Sequence, residues 1–193
     1  MRLWLVGGII GGIYVGEELG GLIQLFGSSF RRHLEELEGK GYFGFALDIG
    51  EGADQLFPSS ITQREEELSD PKDAYLRYTP SEWENWWNEP FLEFTKEIQG
   101  VFELFQKRAD LSASWDENSE FSLEEADFYG DVMSIYLETM KALAESGAFG
   151  SMQYRIIWVA DSEYPIILRS LSYLNDESVI EAAMPALDFL EDV

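Results

Sequence analysis

The sequence predicts an α+β fold, in which a small mixed β-sheet of about three to five strands packs against five or six helices. The first observation is a β-branched and aromatic run at 152–161, which is apolar at every position from Ile156 to Ala160. Such a run is typical of a strand buried on both faces, so we expect the central strand near 152–160. The second observation is that helix-period apolar stripes with capping signals occupy much of the remaining chain.

The length and composition predict one folded domain spanning residues 1–193. The chain is 46% hydrophobic and 15% aromatic, which is too apolar for a disordered protein. It has no cysteine and a single histidine, His33. Disulfides, thiolate metal sites and a cysteine nucleophile are therefore excluded, and a histidine-based metal cluster or a Ser-His-Asp triad is not expected. We expect His33 to be a solvated or partly buried surface residue, and a cytoplasmic location.

The charge is strongly negative and unevenly distributed. The chain has 37 acidic residues and only 13 basic ones, which gives a formal charge of −24. Residues 109–193 hold 18 of the acids and 3 of the bases. Nucleic acid and anionic membranes would repel such a chain, whereas a basic protein would be attracted to it. A solubility-tuned surface with no partner is the alternative explanation.

The N-terminal segment 1–18 is apolar and rich in glycine. Residues 3–15 are uncharged, and Gly8, Gly12, Gly16 and Gly20 recur every fourth position. The run is shorter than the roughly 20 residues that a membrane-spanning helix needs. We expect a glycine-rich strand or a buried helix that packs on the core, although a signal peptide or a membrane anchor fits the same composition.

Four elements are predicted between this segment and residue 78. They are a helix over 19–37 that Gly39 ends, a strand over 42–49, a short helix that starts at a Ser60–Gln63 capping box, and a short strand over 74–78.

The second half of the chain is predicted to be mainly helical. A capping box at Thr79 and Glu82, with Pro80 at the first helical position, predicts a helix start, and Trp83, Trp86 and Trp87 are expected to be core anchors. Further helices are expected over 90–108, from a Ser122–Glu125 capping box to Gly147, from Pro165 to Asn175, and from Asp176 through a kink at Pro185.

The acidic stretch 109–140 is the predicted binding surface. It contains nine acids and no lysine or arginine, with aromatic residues interleaved. The acids near the start of the predicted helix also complement its dipole, which is a purely structural explanation for Glu124, Glu125 and Asp127. The candidate partner-binding residues are Asp110, Trp115, Asp116, Glu117, Glu120, Phe121, Glu124, Asp127 and Asp131.

Several short motifs resemble one bacterial family. They are Tyr78-Thr79-Pro80-Ser81-Glu82-Trp83, Phe149-Gly150 after a helix, Trp158-Val159-Ala160-Asp161, and then Ser170 and Leu174-Asn175. In this spacing the chain resembles the domain-of-unknown-function 4303 family over roughly residues 20–175, and the segment 1–18 is not part of the resemblance. The family has no established chemistry. Its members look like the small acidic proteins found beside secreted bacterial toxins, so the resemblance implies an immunity protein.

The functional expectation is therefore a binding protein of the immunity or antitoxin type, which neutralises a cationic toxin, for example a nuclease, through an acidic, aromatic-interleaved surface. We expect no enzymatic activity and no cofactor or metal. One alternative is a carboxylate-based or Mg²⁺-dependent enzyme that uses Asp48 and Asp161, because both lie at the ends of predicted strands. The other alternative is a nucleic-acid mimic, which needs carboxylates spaced like phosphates.

Overall fold

The α+β fold is confirmed by the computed structural model, which describes residues 9–10, 13–14, 17–49, 59–64, 74–83, 93, 96, 99–100, 123–159 and 165–187. Its elements, in chain order, are β1 (Ile9–Ile10), β2 (Ile13–Tyr14), α1 (Glu17–Leu37), β3 (Tyr42–Ile49), β4 (Ser59–Arg64), α2 (Ala74–Tyr78), a 3₁₀ turn (Pro80–Glu82), α3 (Leu123–Glu145), β5 (Tyr154–Val159), α4 (Pro165–Leu174), α5 (Glu177–Ala183) and a second 3₁₀ turn (Met184–Ala186).

The main sheet has three described strands in the order β4-β3-β5. Strand β3 pairs with β4 in antiparallel fashion and with β5 in parallel fashion, so the sheet is mixed. The central described strand is therefore β3, and the prediction of a central strand near 152–160 is wrong. An unbroken apolar run reports burial on both faces, which β5 has, but burial does not distinguish a central strand from a covered edge strand.

Helix α4 covers the outer edge of β5 with two polar side chains. The Ser170 hydroxyl accepts a hydrogen bond of 2.9 Å from the backbone N–H of Ile157. The Asn175 amide, at the end of α4, accepts from the N–H of Arg155 at 2.8 Å and donates to the carbonyl oxygen of Arg155 at 2.6 Å. An uncovered strand edge exposes unpaired backbone N–H and carbonyl groups, which can pair with another chain. Ser170 and Asn175 bond these groups on the outer edge of β5, so β5 is buried although it lies at the side of the sheet.

One face of the sheet packs on α1 and α3 through aromatic rings. The ring centroids of Phe30 and Phe45 are 5.2 Å apart, and those of Phe45 and Phe149 are 5.6 Å apart. Phe26 joins α1 to α3, with its ring centroid 4.8 Å from that of Tyr136. The apolar stripe predicted for the first helix is confirmed, since Phe26, Phe30, Leu34 and Leu37 are all buried.

Trp83 packs on the other side of β3. It is 2% exposed, which confirms its prediction as a core anchor. A Cβ placed on Gly44 would lie 2.9 Å from Trp83 Cη2 and 3.1 Å from Tyr154 Cδ1, so glycine is required for this close approach. The hydroxyl of Tyr154 donates a hydrogen bond of 2.8 Å to the carbonyl oxygen of Tyr78. Residues 78–83 are thereby fastened to both parallel strands.

The predicted helix start at Thr79 is only partly correct. Pro80 opens a helical turn as expected, but this 3₁₀ turn ends at Glu82, and the Thr79 side chain makes no capping hydrogen bond. Trp83 follows in an extended conformation, which turns its ring into the core. Trp86, Trp87 and most of the helix predicted over 90–108 lie outside the described residues, although Glu93, Lys96, Gln99 and Gly100 are helical.

Two local predictions in the first half are wrong. Residues 59–64 form strand β4 rather than a helix, because pairing with β3 buries Thr62 and Gln63 and overrides the chance capping-box spacing. Residues 74–78 form helix α2 rather than a strand. A stretch of five residues is too short for apolar periodicity to distinguish the two structures.

His33 is buried rather than on the surface, so its predicted location is wrong. It is 3% exposed, and its ring lies 6.3 Å from that of Phe45. Its neighbours Arg31 and Arg32 suggested a polar face, but the helical turn directs His33 to the same side as Phe30 and Leu34. Burial, together with the charge of Lys40, lowers the pKa of His33 from 6.5 to about 3, so the side chain is neutral at pH 7.

Several predicted helix boundaries are confirmed. Helix α1 ends before Gly39, whose φ is +73°, and α3 ends before Gly147, whose φ is +75°. Both glycines adopt the left-handed conformation that favours this residue after a helix. Helix α4 begins at Pro165, and a 3₁₀ turn replaces the last helix at Pro185.

The glycine-rich segment contains β1 and β2, the two shortest of the described strands. Ile9 pairs with Tyr14, and Ile10 pairs with Ile13, in antiparallel fashion. These four residues agree with the strand alternative for the segment. Across the described parts of the chain, no helix combines the length and the apolar character needed to cross a membrane.

Candidate partner-binding surface

The predicted partner-binding residues divide into two groups. Six of them lie in the part of the chain outside the described residues; they are Asp110, Trp115, Asp116, Glu117, Glu120 and Phe121. The other three, Glu124, Asp127 and Asp131, belong to α3, whose backbone is described from Leu123 and whose side chains are described from Met133.

The backbone of α3 aligns these three acids with two more. At about 100° per residue, positions 124, 127, 131, 138 and 145 fall within about 60° of one another around the helix axis. The buried Tyr136 and Met140 lie on the opposite side, whereas the buried Ile135 lies about 20° from the position of Glu124, at the border of the row. The row of Glu124, Asp127, Asp131, Glu138 and Glu145, called the acidic row below, extends over about 30 Å.

Glu138 and Glu145 were not among the predicted site residues. Glu138 is half-buried and Glu145 is exposed. Both follow Asp131 at intervals of seven residues, which is two helical turns. This heptad spacing is the signal in the sequence from which they could have been found.

An exposed aromatic residue, Tyr173 of α4, lies beside the acidic row. It is 39% exposed, and its hydroxyl donates a hydrogen bond of 3.1 Å to Oε1 of Glu138. The Nζ of Lys141 donates to the carbonyl oxygen of Tyr173 at 2.9 Å and lies 5.0 Å from the centroid of its ring. The hydrogen bond to the Glu138 carboxylate is the main cause that raises the pKa of Tyr173.

Acidic and basic side chains differ in their exposure to solvent. Of the 11 acidic side chains whose exposure is described, nine are exposed, whereas only four of the nine described basic side chains are. The other five bases are half-buried against aromatic rings or against hydroxyl and carbonyl oxygens; they are Arg31, Arg64, Arg77, Lys141 and Arg155. Among the described residues, the exposed side chains, with nine acids and four bases, are therefore more negative than the full set of 11 acids and nine bases.

Arg155 illustrates how a base is withdrawn from the surface. Its guanidinium donates to the carbonyl oxygen of Leu174 at 3.0 Å and to that of Met152 at 2.9 Å. It also lies 5.3 Å from the centroid of the Phe149 ring. Burial lowers the pKa of Arg155, although the nearby carboxylate of Asp176 opposes this shift. The cation thus ties β5 to the end of α4.

Asp48, one of the two carboxylates of the enzyme alternative, lies inside the fold. It is 4% exposed, and in the sheet it pairs with Ser59 on one side and Trp158 on the other. Strands β3 and β5 are parallel, so their carboxyl ends lie at the same edge of the sheet, but Asp161 is outside the described residues. Within the described ranges, no three residues of the types His, Cys, Asp and Glu come together to hold a metal ion.

Comparison with known protein families gives a match over most of the chain. A family model described as "Domain of unknown function (DUF4303)" matches residues 24–176. The match includes β3, β5, α4 and the Trp83 turn. No curated protein matches the chain, and no solved structure does.

Proposed function

Because the chain belongs to the DUF4303 family, whose function is unknown, we propose a function from its surface. The protein is a binding protein of the immunity or antitoxin type that acts in the cytoplasm. It neutralises a cationic toxin domain by covering the active site of the toxin. The acidic row of α3 is the contact surface.

The geometry of the acidic row is the observation that carries the proposal. Five acidic positions along one side of a helix axis favour a linear negative field, and such a field guides a positively charged partner towards one orientation. The active site of a nuclease must be basic to hold phosphate groups. A toxin nuclease is therefore the partner whose charge this row fits best.

Tyr173 supports the proposal as an aromatic contact beside the carboxylates. Tyrosine is enriched among the residues that dominate binding energy, because its ring buries a large area while its hydroxyl stays hydrogen-bonded. Its bond to Glu138 holds the ring against the acidic row. In a complex, the row would supply the attraction and Tyr173 the desolvated contact.

The experiment reverses three charges of the acidic row. In the triple variant Glu124→Lys, Asp127→Lys and Asp131→Lys, we expect association with the proposed partner, a cationic toxin domain from a neighbouring gene, to be about 10- to 100-fold slower at low salt. The dependence of the association rate on salt should also become weaker. Stopped-flow fluorescence at several sodium chloride concentrations measures both quantities.

The control changes the total charge by the same amount elsewhere. Glu35, Glu36 and Glu38 are exposed, and their replacement by lysine also raises the net charge by six. We expect this control to slow association much less than the α3 variant. Equal slowing in the two variants would show that only net charge matters. The proposal is wrong if the α3 variant associates as fast as the unaltered protein, or if the unaltered protein does not bind the toxin domain.

A further inference from the structure

The described surface presents two exposed tyrosines that each contact a glutamate. Tyr173, which is 39% exposed, donates to Glu138 at 3.1 Å. Tyr75 of α2 is 49% exposed, and its hydroxyl lies 3.5 Å from Oε1 of the exposed Glu82. Each pair places an aromatic ring beside a carboxylate, an arrangement that attracts a cation to both groups at once.

The Tyr173 pair is occupied by a cation from the chain itself. Lys141 lies 5.0 Å from the centroid of the Tyr173 ring, while its Nζ also donates to the backbone carbonyl oxygen of the same residue. The molecule therefore contains one filled example of a tyrosine, a glutamate and a basic side chain held together.

The Tyr75 pair also consists of a tyrosine and a glutamate, but it lacks a basic side chain among the described residues. In the part of the chain that the structure describes, no lysine or arginine lies over the Tyr75 ring. Arg77, two residues further along, lies 4.5 Å from the centroid of the Phe43 ring instead. The neighbouring Leu76 is 41% exposed, so an apolar surface adjoins the pair.

We propose that the Tyr75–Glu82 pair, with Leu76 beside it, is a docking site for an arginine or lysine side chain of a basic protein partner. The guanidinium or ammonium group would lie on the Tyr75 ring and pair with the Glu82 carboxylate, while the aliphatic part of the same side chain covers Leu76. A second copy of this chain does not fit the site, because each copy carries a charge of −24.

This inference shares with the proposed function the premise of a cationic partner, but it uses a different surface. Helix α2 lies with Trp83 on the Gly44 side of the sheet, whereas α3 packs on the side of Phe45. The Tyr75 site is thus a second point of attachment. Binding at α2 and binding at the acidic row are separable by mutation.

The test is a titration with a capped single arginine, Nα-acetyl-arginine amide, followed by NMR of protein labelled at tyrosine rings and leucine methyl groups. We expect saturable shifts at Tyr75 and Leu76 that weaken when sodium chloride is raised. Tyr75→Ala, read at Leu76, and Glu82→Gln should each lower the affinity about three- to fivefold. Tyr173→Ala is the matched control, and it should leave the Leu76 shifts unchanged.

A second variant is expected to gain an arginine site, so the test does not depend only on variants that weaken binding. Lys141→Ala removes the cation from the Tyr173–Glu138 pair, so arginine should then shift the Tyr173 ring as well as the Tyr75 ring. The inference is overturned if arginine shifts neither Tyr75 nor Leu76, or if Tyr75→Ala binds arginine as tightly as the unaltered protein. Neither outcome bears on the proposed role of the acidic row, because that role is tested separately by the α3 charge reversals.

Discussion

Replacement of Trp83 by alanine is expected to lower the free energy of unfolding by about 3 to 5 kcal/mol. The Trp83 ring is buried against Gly44 and Tyr154, and it fills the space that a side chain on Gly44 would otherwise occupy. Its loss leaves a cavity beside both parallel strands. Small domains are stable by only about 5 to 15 kcal/mol, so the variant should lose a large part of its stability. Urea denaturation followed by circular dichroism measures the change.

The matched control for Trp83 is Tyr75→Ala. Tyr75 lies eight residues earlier, on the same side of the sheet, but it is half exposed. Its replacement should change the free energy of unfolding by no more than about 0.5 kcal/mol. If Trp83→Ala were as mild as this control, the packing of residues 78–83 on β3 would be wrong.

Removal of the side chains that cover β5 is expected to have the next largest effect. Ser170→Ala leaves the buried N–H of Ile157 without its acceptor, and Asn175→Ala removes both bonds to the backbone of Arg155. Each change should cost about 1 to 3 kcal/mol, because a buried backbone group loses its hydrogen bond. Hydrogen exchange should locate the effect, with faster exchange of the Ile157 amide in the first variant and of the Arg155 amide in the second.

Ser172→Ala is the matched control on the same helix. The Ser172 hydroxyl donates only to the carbonyl oxygen of Leu168, within α4, and the residue is exposed. We expect a change within about 0.5 kcal/mol and no effect on exchange in β5. Unaltered exchange at Ile157 and Arg155 in the Ser170 and Asn175 variants would contradict the edge-covering role.

Elements with strong local signals could be predicted from the sequence. Strand β3 was predicted over 42–49 and has those bounds, because an apolar aromatic run lies between glycine turns. Helices α1, α3 and α4 were also predicted, because their apolar stripes and capping residues extend over several turns. In each of these cases, local preference and tertiary packing favour the same structure.

Two of the errors, those for β5 and β4, fall where structure depends on distant contacts. The edge position of β5 depends on Ser170 and Asn175, which lie 13 and 20 residues from their partners Ile157 and Arg155. Strand β4 forms because β3 pairs with it, and the Ser60–Gln63 capping-box pattern carries no information about that pairing. Local pattern could therefore predict that residues 152–160 form a buried strand, but not its position in the sheet.

The sequence could predict the part of the candidate surface that lies on α3, but not the part that lies on α4. The helical spacing of Glu124, Asp127 and Asp131 is visible in the sequence, and continued by heptads it leads to Glu138 and Glu145. Tyr173 has no such signal, since it meets Glu138 only when α4 packs beside α3. The same is true of Tyr75 and Glu82, because the sequence predicts a short strand over 74–78 and places only Glu82 in the helix that begins at Thr79.

Carboxylate footprinting of the complex tests the central claim most directly. The free protein and its proposed complex with a cationic toxin domain would be labelled with a water-soluble carbodiimide and glycine ethyl ester, and the labelled acids identified by mass spectrometry. Glu124, Asp127, Asp131, Glu138 and Glu145 should be protected in the complex, while Glu35, Glu36 and Glu38 stay reactive. Equal labelling of the acidic row in the free and bound protein would contradict the account.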